Sequence, residues 1–145
     1  RVSKLPRPAD IVLPIIRAAD LKSGGLSVTW NTWIPDIEYR QWPMGQIRRL
    51  GGPRNPKRPT QLGLSVIEMS VYTKAPEGGL PETEQLYEDA LEALYDAVRK
   101  QTQTDAGYLH SMKETLGATQ FSSLFQDSWR VQGLIQLGIR PPRSA

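Results

Sequence analysis

The sequence of 145 residues contains no cysteine and a single histidine, His110. The absence of cysteine excludes a disulfide framework, a cysteine-ligated zinc site, an iron–sulfur cluster and a thiol nucleophile. His110 alone does not supply the common zinc ligand sets. Its neighbour Ser111 would point to the opposite face of an extended segment, which disfavours a Ser-His-acid arrangement. We therefore expect no enzyme, no cofactor and no metal site, and we assign no catalytic, cofactor-binding or metal-binding residue.

Long apolar runs are also missing. The longest early run, residues 11–16, is interrupted by Pro14 and is far shorter than the roughly 18 residues of a membrane-spanning helix. The N-terminal segment lacks the apolar core of a secretory signal, so neither a membrane partner nor export is expected. Apolar residues make up 39% of the chain, a composition typical of a folded globular protein. At this length we expect a single domain over residues 1–145.

Two acidic residues, Asp36 and Glu68, invite comparison with metal-dependent nucleases, because paired carboxylates can hold a magnesium ion. The motif of those nucleases ends in an acid, any residue and a lysine. Here Ser70 stands in the lysine position, and Lys74 comes four residues too late. The sequence therefore disfavours a nuclease.

Apolar residues at helical spacing predict two helices. The first follows Arg7, with Asp10 placed to cap its first turn and Pro14 expected to shorten or kink it. The second lies between residues 83 and 100, where an apolar residue recurs at steps of four, three and four. Its apolar stripe consists of Tyr87, Leu91, Leu94 and Val98. Acids fill the opposite face and the first turn, and two basic residues end the helix, a polarity that favours the helix dipole.

Extended segments are predicted on both sides of the second helix. They cover residues 26–33, 37–50, 62–73 and 112–116, with a closing strand over residues 129–139. The third of these segments changes the phase of its alternation near Val66, which a bulge or burial on both faces would explain. In the closing strand the odd-numbered apolar residues face one way and the even-numbered polar residues face the other. Residues 117–127 are interpreted as a connection.

The order of elements is a helix, several strands, a long helix and a terminal hairpin. This order predicts an α+β fold, with a mainly antiparallel sheet of about four to five strands and two helices packed on one face. A free edge on the closing strand would allow sheet pairing between subunits. Residues 140–145, which follow that strand, are a candidate flexible tail.

Charge is distributed unevenly, although the net charge is only +3. Residues 39–67 contain no acid and six bases, which are Arg40, Arg48, Arg49, Arg54, Lys57 and Arg58. Residues 82–96 contain no base and six acids, which are Glu82, Glu84, Glu88, Asp89, Glu92 and Asp96. Complementary patches steer and orient encounters. The segregation is therefore consistent with a polyanion partner, with self-association between opposite faces, or with a plain solvated surface.

Residues 51–60 are predicted to form an extended basic loop. Three prolines and two glycines within nine residues disfavour both helix and strand. Lysine and arginine neutralise phosphates, and the nearby Trp42 could stack on a base. No known nucleic-acid-reading module accompanies the loop, so the sequence supports contact with a phosphate backbone and not sequence-specific recognition. The candidate partner contacts are Arg48, Arg49, Arg54, Lys57 and Arg58.

The acids of the second helix share a face, because Glu88, Glu92 and Asp96 are four residues apart. Three interpretations stay open: a solvated acidic face, a cation site, and a subunit interface that meets a basic loop. The candidate subunit-interface acids are Glu88, Asp89, Glu92 and Asp96.

Five elements in order carry a resemblance to a known family. They are the N-terminal helix, the strand ending Gln46-Ile47-Arg48-Arg49-Leu50-Gly51-Gly52, the strand 66–72, the helix 84–100 and the closing strand 129–137. In this order, and over most of the chain, they resemble the tail terminator proteins of long-tailed, non-contractile bacteriophages, the siphophages.

The resemblance implies a structural role in the virion. Such proteins form a hexameric ring on a completed tail tube, stop its polymerisation and present the surface that joins the filled head, and DNA later passes through the ring. The implied partners are further copies of the chain, the tail tube protein, a head-closure or connector protein, and passing DNA in non-specific contact. The implied location is the tail and neck of the virion, assembled in the host cytoplasm.

On this interpretation the acids of the second helix meet a neighbouring subunit, and the basic loop projects toward the lumen or the tube. A head-to-tail ring needs two different complementary faces on each subunit. The first alternative is another neck protein, such as a head-closure or connector component. The second is a small DNA-binding module that uses the basic loop. Salt-sensitive DNA affinity of the isolated subunit would favour the module, and ring formation without DNA would favour the terminator.

Reversing the charge of the basic loop tests this interpretation. The triple variant Arg54→Glu, Lys57→Glu, Arg58→Glu should block ring or tail assembly, because it replaces three positive charges by negative ones at a surface that must attract a partner. Circular dichroism and thermal melting should show an intact fold. Assembly of the variant at the wild-type level would contradict the assignment of the loop.

Overall fold

Both predicted helices are present in the computed structural model. The structure describes residues 6–33, 41–51, 63–74, 79–121 and 128–143. Helix α1 spans Pro8–Ala18, and helix α2 spans Gly79–Lys100.

Helix α1 starts at a proline, whose fixed φ suits a first helical position and whose missing N–H is not needed there. Asp10 lies in the first turn, but the expected capping by Asp10 is wrong. Its carboxylate instead accepts a hydrogen bond from the side chain of Arg7, with a distance of 3.1 Å between Nε and Oδ2. The helix continues through Pro14 and is short, with 11 residues.

Helix α2 begins at Gly79, four residues before its predicted start. Thr83 donates a hydrogen bond from Oγ1 to the carbonyl oxygen of Gly79 at 3.0 Å, and the same Oγ1 lies 2.6 Å from Oγ1 of Thr73. These bonds tie the first turn of the helix to the neighbouring strand. The helix ends before Gln101, which has a φ of 49°, the left-handed conformation that often follows a helix.

The strands form two sheets. A two-stranded hairpin consists of β1 (Lys22–Ser23) and β2 (Leu26–Ser27). The main sheet contains β3 (Thr29–Asn31), β4 (Met44–Gly51), β5 (Gly63–Lys74), β6 (Tyr108–Phe121) and β7 (Ser128–Arg140). Its order is β3-β4-β5-β7-β6, with β3 and β4 parallel and every other neighbouring pair antiparallel. The predicted α+β class with a mainly antiparallel sheet is confirmed.

The prediction of a single strand over residues 26–33 is wrong in detail, because the extended segment is interrupted at Val28. The backbone N–H of Val28 bonds back to the carbonyl of Leu21, and that of Thr29 bonds to the carbonyl of Pro43. The segment therefore divides between the small hairpin and the first strand of the main sheet. The described residues leave out the start of the second predicted strand, residues 37–40, and nearly all of the predicted basic loop, residues 52–60.

Strand β6 is longer than its predicted core at residues 112–116. It includes part of the segment interpreted as a connection, up to Phe121. The apolar alternation is weak here because β6 shifts register against β7 at three places, between Leu109 and Ser111, Glu114 and Leu116, and Leu116 and Thr119. Each shift breaks the two-residue period that a sequence pattern needs.

The change of phase near Val66 is not a change of face: the odd-numbered residues of β5 are buried throughout, and the even-numbered apolar residues Leu64 and Val66 are half-buried. Strand β5 pairs with β7 without interruption, so β5 itself carries no bulge against that neighbour. The irregularity lies in β4, between Arg49 and Gly51, which pair with Ile67 and Val66. In addition, residues 69–73 of β5 are buried on both faces. The expected burial on both faces is confirmed for this half of the strand, and the bulge belongs to the neighbouring strand.

Strand β7 lies inside the sheet, between β5 and β6. Its odd-numbered residues from Val131 to Ile139 are buried, as the alternation predicts. Because β7 is paired on both sides, the possibility of sheet pairing between subunits through a free edge of the closing strand does not hold. The outer strand on this side is β6, a partner that the sequence pattern shows only weakly.

Both helices pack on one face of the main sheet and enclose the core. Fully buried members include Ile11 and Ile16 of α1, Tyr87 and Leu94 of α2, and Met69 and Ile135 of the sheet. Burying a side chain of this size stabilises the fold by about 1.5–3 kcal/mol.

Two strand glycines let aromatic side chains approach the sheet closely. A Cβ atom at Gly45 would lie 2.2 Å from the ring of Trp30, and one at Gly133 would lie 1.9 Å from the hydroxyl of Tyr87. Trp30 is 2% exposed and Tyr87 is fully buried. The absence of a side chain at these two positions therefore sets the distance between the sheet and the groups packed on it.

The variant Gly45→Ala should lower the free energy of unfolding by about 1–3 kcal/mol, because the added methyl group would overlap a rigid indole ring. A matched control is Gly117→Ala, since a Cβ there would have its nearest neighbour at 3.9 Å. Denaturant unfolding of both variants measures the difference. Equal stabilities for the two would contradict the packing described at Trp30.

Candidate interaction surfaces

The path of α2 places opposite charges at opposite ends of the sheet. Four residues separate Lys74, the last residue of β5, from the start of the helix, and seven residues separate the end of the helix from Tyr108, the first residue of β6. It therefore runs back along the strands. Its acidic N-terminal part lies at the end where β5 finishes, and its basic C-terminus lies at the end where β6 begins. We call the second of these the basic end of the sheet.

The acids of α2 divide into two groups. Glu84, Glu88 and Glu92 are exposed at intervals of four residues and form no ion pair within the described part of the chain. We call these three residues the acidic stripe. Asp89 is half-buried and accepts a hydrogen bond from Gln85 at 2.8 Å.

Asp96 belongs to the second group because it is neutralised within its own helix. Lys100 lies 3.1 Å from its carboxylate, and Arg99 also pairs with it. The hydrogen bond from Lys100 is the main cause that lowers the pKa of Asp96 below its ordinary value. Of the four predicted interface acids, Glu88, Asp89 and Glu92 remain without an ion pair within residues 79–121.

The predicted basic contacts are only partly described. Arg48 pairs with Glu68 across β4 and β5, with 2.8 Å between Nη2 and Oε2, and its side chain remains 56% exposed. Arg49 is exposed at the end of β4. The other three predicted contacts, Arg54, Lys57 and Arg58, lie outside the described residues. Glu68, considered above as a nuclease acid, forms an ion pair with Arg48. Its suggested partner Asp36 also lies outside the described residues.

A third charged surface was not predicted. At the basic end, Arg143 stacks on Tyr108, with 4.9 Å between its guanidinium carbon and the ring centroid, and it also bonds to the side chain of Gln101. Arg140 pairs with Tyr108 in the β-ladder. Hydrogen bonds from Arg143 and then Arg140 lower the pKa of Tyr108, against the opposing effect of burial.

The sequence shows basic residues after position 127, but not that two of them meet at one tyrosine. That meeting depends on the pairing of β6 with β7, which the irregular pattern of β6 does not reveal. His110 lies nearby in the first bulge of β6 and is half-buried. Burial, followed by the charge of Arg140, lowers the pKa of His110 below its ordinary value.

The described parts of these surfaces show no cluster of metal ligands. The described residues contain no group of three histidine, aspartate or glutamate side chains placed to hold a metal ion. Within the same ranges, neither helix combines the length and apolar character needed to cross a bilayer. The described residues do form three separate charged surfaces on an α+β fold, an arrangement that suits contacts with other macromolecules.

Comparison with known proteins identifies the class. A sequence model of the phage tail termination protein family matches residues 4–145, and the chain therefore belongs to this family. It is a structural protein of the phage tail. The resemblance to siphophage tail terminators drawn from the order of its elements is confirmed.

Two relatives match nearly the whole chain. The chain is 55% identical over 143 residues to the Gene 22 protein of Mycobacterium phage L5, covering 99% of each. It is 56% identical over 140 residues to the Gene 22 protein of Mycobacterium phage D29, covering 97% of this chain and 96% of the relative.

Proposed function

We propose that the chain forms a ring, with six subunits as the expected number, that caps the end of the tail tube. The ring stops tube polymerisation, presents the surface that joins the filled head, and lets DNA pass through its lumen at the neck of the virion. Assembly takes place in the host cytoplasm. The observation that carries this proposal is the family match over residues 4–145.

Ring formation requires two different surfaces on each subunit that fit one another. The acidic stripe of α2 suits one of them. Like charges four residues apart on a helix are destabilising by about 0.2–0.5 kcal/mol for each pair, and cations of a neighbouring subunit would offset that cost. We assign Glu88, Asp89 and Glu92 to this contact, with Asp96 at its margin because its charge is already paired.

The predicted basic contacts suit a surface that faces the tube or the lumen. Arg48 and Arg49 lie on β4 just before the basic loop, and both are exposed. Together with Arg54, Lys57 and Arg58 they would meet carboxylates of the tube protein or phosphates of passing DNA. Contacts of this kind are independent of base sequence and weaken as salt rises.

Termination by such a ring needs no chemical reaction. A capping subunit binds the growing end of the tube but presents a different surface outward, so the next tube subunit finds no matching contact. That outward surface is then available to a head-closure or connector protein. The function depends on shape and charge at two faces, in keeping with the three charged surfaces of the described chain.

Tube growth in vitro tests this proposal. Purified tail tube protein polymerised with the wild-type chain should give shorter tubes, each with added density at one tip in negative-stain images. The variant Glu88→Lys, Glu92→Lys should lose this effect, because repulsion at the subunit contact prevents ring closure.

Lys113→Glu provides the matched control, since Lys113 is an exposed residue of β6 outside both assigned contacts. It should cap tubes as the wild-type chain does. Tubes of equal length with and without the wild-type chain, and with bare tips, would contradict the proposal. Binding to heads in the absence of tubes would favour the alternative of a head-closure component.

A further inference from the structure

Two arginines at the basic end of the sheet share one neutral partner. Arg140 and Arg143 both interact with Tyr108, and neither forms an ion pair with a carboxylate within the described residues. Nε of Arg140 is buried and has no hydrogen-bond partner in that part of the chain. We call Arg140 and Arg143 the arginine pair. Two positive charges held close together favour an anion beside them.

The arginine pair is held in place before any partner arrives. Stacking on Tyr108 fixes the guanidinium of Arg143, and its backbone N–H donates a hydrogen bond to the side chain of Gln103 at 3.2 Å. The tyrosine itself is 4% exposed. Groups that are already ordered lose little conformational freedom on binding, so this surface is prepared for a contact.

We infer that the arginine pair binds the acidic stripe of a second copy of this chain. Glu84, Glu88 and Glu92 are exposed without an ion pair in the described residues, and they span about 12 Å along α2. The two surfaces are opposite in charge. The inference rests on the proposed function and deepens it, because it names the basic half of the subunit contact in the ring.

The topology makes this contact intermolecular. The acidic stripe begins toward the end of the sheet where β5 finishes, whereas the arginine pair follows β7 at the opposite end. Joining the basic end of one copy to the acidic stripe of the next uses two different surfaces. Such a head-to-tail contact closes into a ring when the rotation that relates one copy to the next divides evenly into a full turn.

An arginine pair also suits phosphate, so DNA is the competing partner. The observations favour the second copy, because the acidic stripe of the same chain has no ion pair within the described residues and the net charge is only +3. A surface built mainly for a polyanion would leave those acids unexplained.

Charge exchange between the two surfaces tests the inference with the full chain. The variant Arg140→Glu, Arg143→Glu and the variant Glu88→Lys, Glu92→Lys should each raise the concentration needed for assembly by at least about tenfold, because each sets like charges against one another. Mixed in equal amounts, they should assemble again, since alternating subunits restore opposite charges at every contact. Sedimentation velocity measures assembly, and circular dichroism checks the fold of each variant.

Two controls separate charge from structure. Lys113→Glu changes one exposed charge elsewhere and should assemble normally. Arg140→Lys, Arg143→Lys keeps both positive charges and should retain most of the assembly.

Four other results would overturn either the inference or the proposed function. Wild-type assembly of the variant Arg140→Glu, Arg143→Glu would overturn the inference and leave the proposed ring standing. Failure of the two folded variants to assemble when mixed would also overturn it. If the variant Arg140→Glu, Arg143→Glu assembles normally but loses salt-sensitive binding to double-stranded DNA, the inference is also overturned, because the arginine pair then binds DNA. A wild-type chain that never self-associates, alone or on tail tubes, would overturn the proposed function itself.

Discussion

The packing of α2 across β5 and β7 is the constraint on which the rest of the structure depends. Its apolar stripe must be buried against the sheet, and the hydroxyl of Tyr87 reaches the strand at Gly133, where only a glycine leaves room. The bond network between Thr83 and Thr73 fixes its first turn. Because short connections join the helix to the strands before and after it, the helix must run from one end of the sheet to the other.

This constraint also determines how charge is distributed in space. Acids in the N-terminal part of α2 and bases at its C-terminus suit the helix dipole, and the direction of the helix turns that local preference into a separation across the molecule. Strand β7 ends with Arg140 at the same end of the sheet where α2 ends. Within the described residues, the chain therefore carries surfaces of opposite charge that lie apart from one another. Membership of the phage tail termination family gives such surfaces a setting, because tail termination implies contact with components of the tail tube and the head.

Much of this fold can be predicted from the sequence, because long elements produce a regular spacing of apolar residues. Helix α2, β5 and the alternation of β7 were predicted in this way, as was the placing of both helices on one face. The extent of irregular elements could not be predicted: β6 shifts register three times against its partner, and the segment before β3 divides at Val28. For the candidate interaction surfaces too, features within one regular element could be predicted and features that depend on strand pairing could not. Acids along one helix were visible as a group, whereas the meeting of Arg140 and Arg143 at Tyr108 depends on pairing between strands.

The most direct test of the account is the mass of the purified chain in solution, measured by light scattering across protein concentration and magnesium, with negative-stain images of the same sample. A chain of 16.3 kDa that forms a ring of six should give a species of about 98 kDa with a central opening. A mass of 16.3 kDa at every concentration, together with no ring on the tips of tail tubes, would contradict the account.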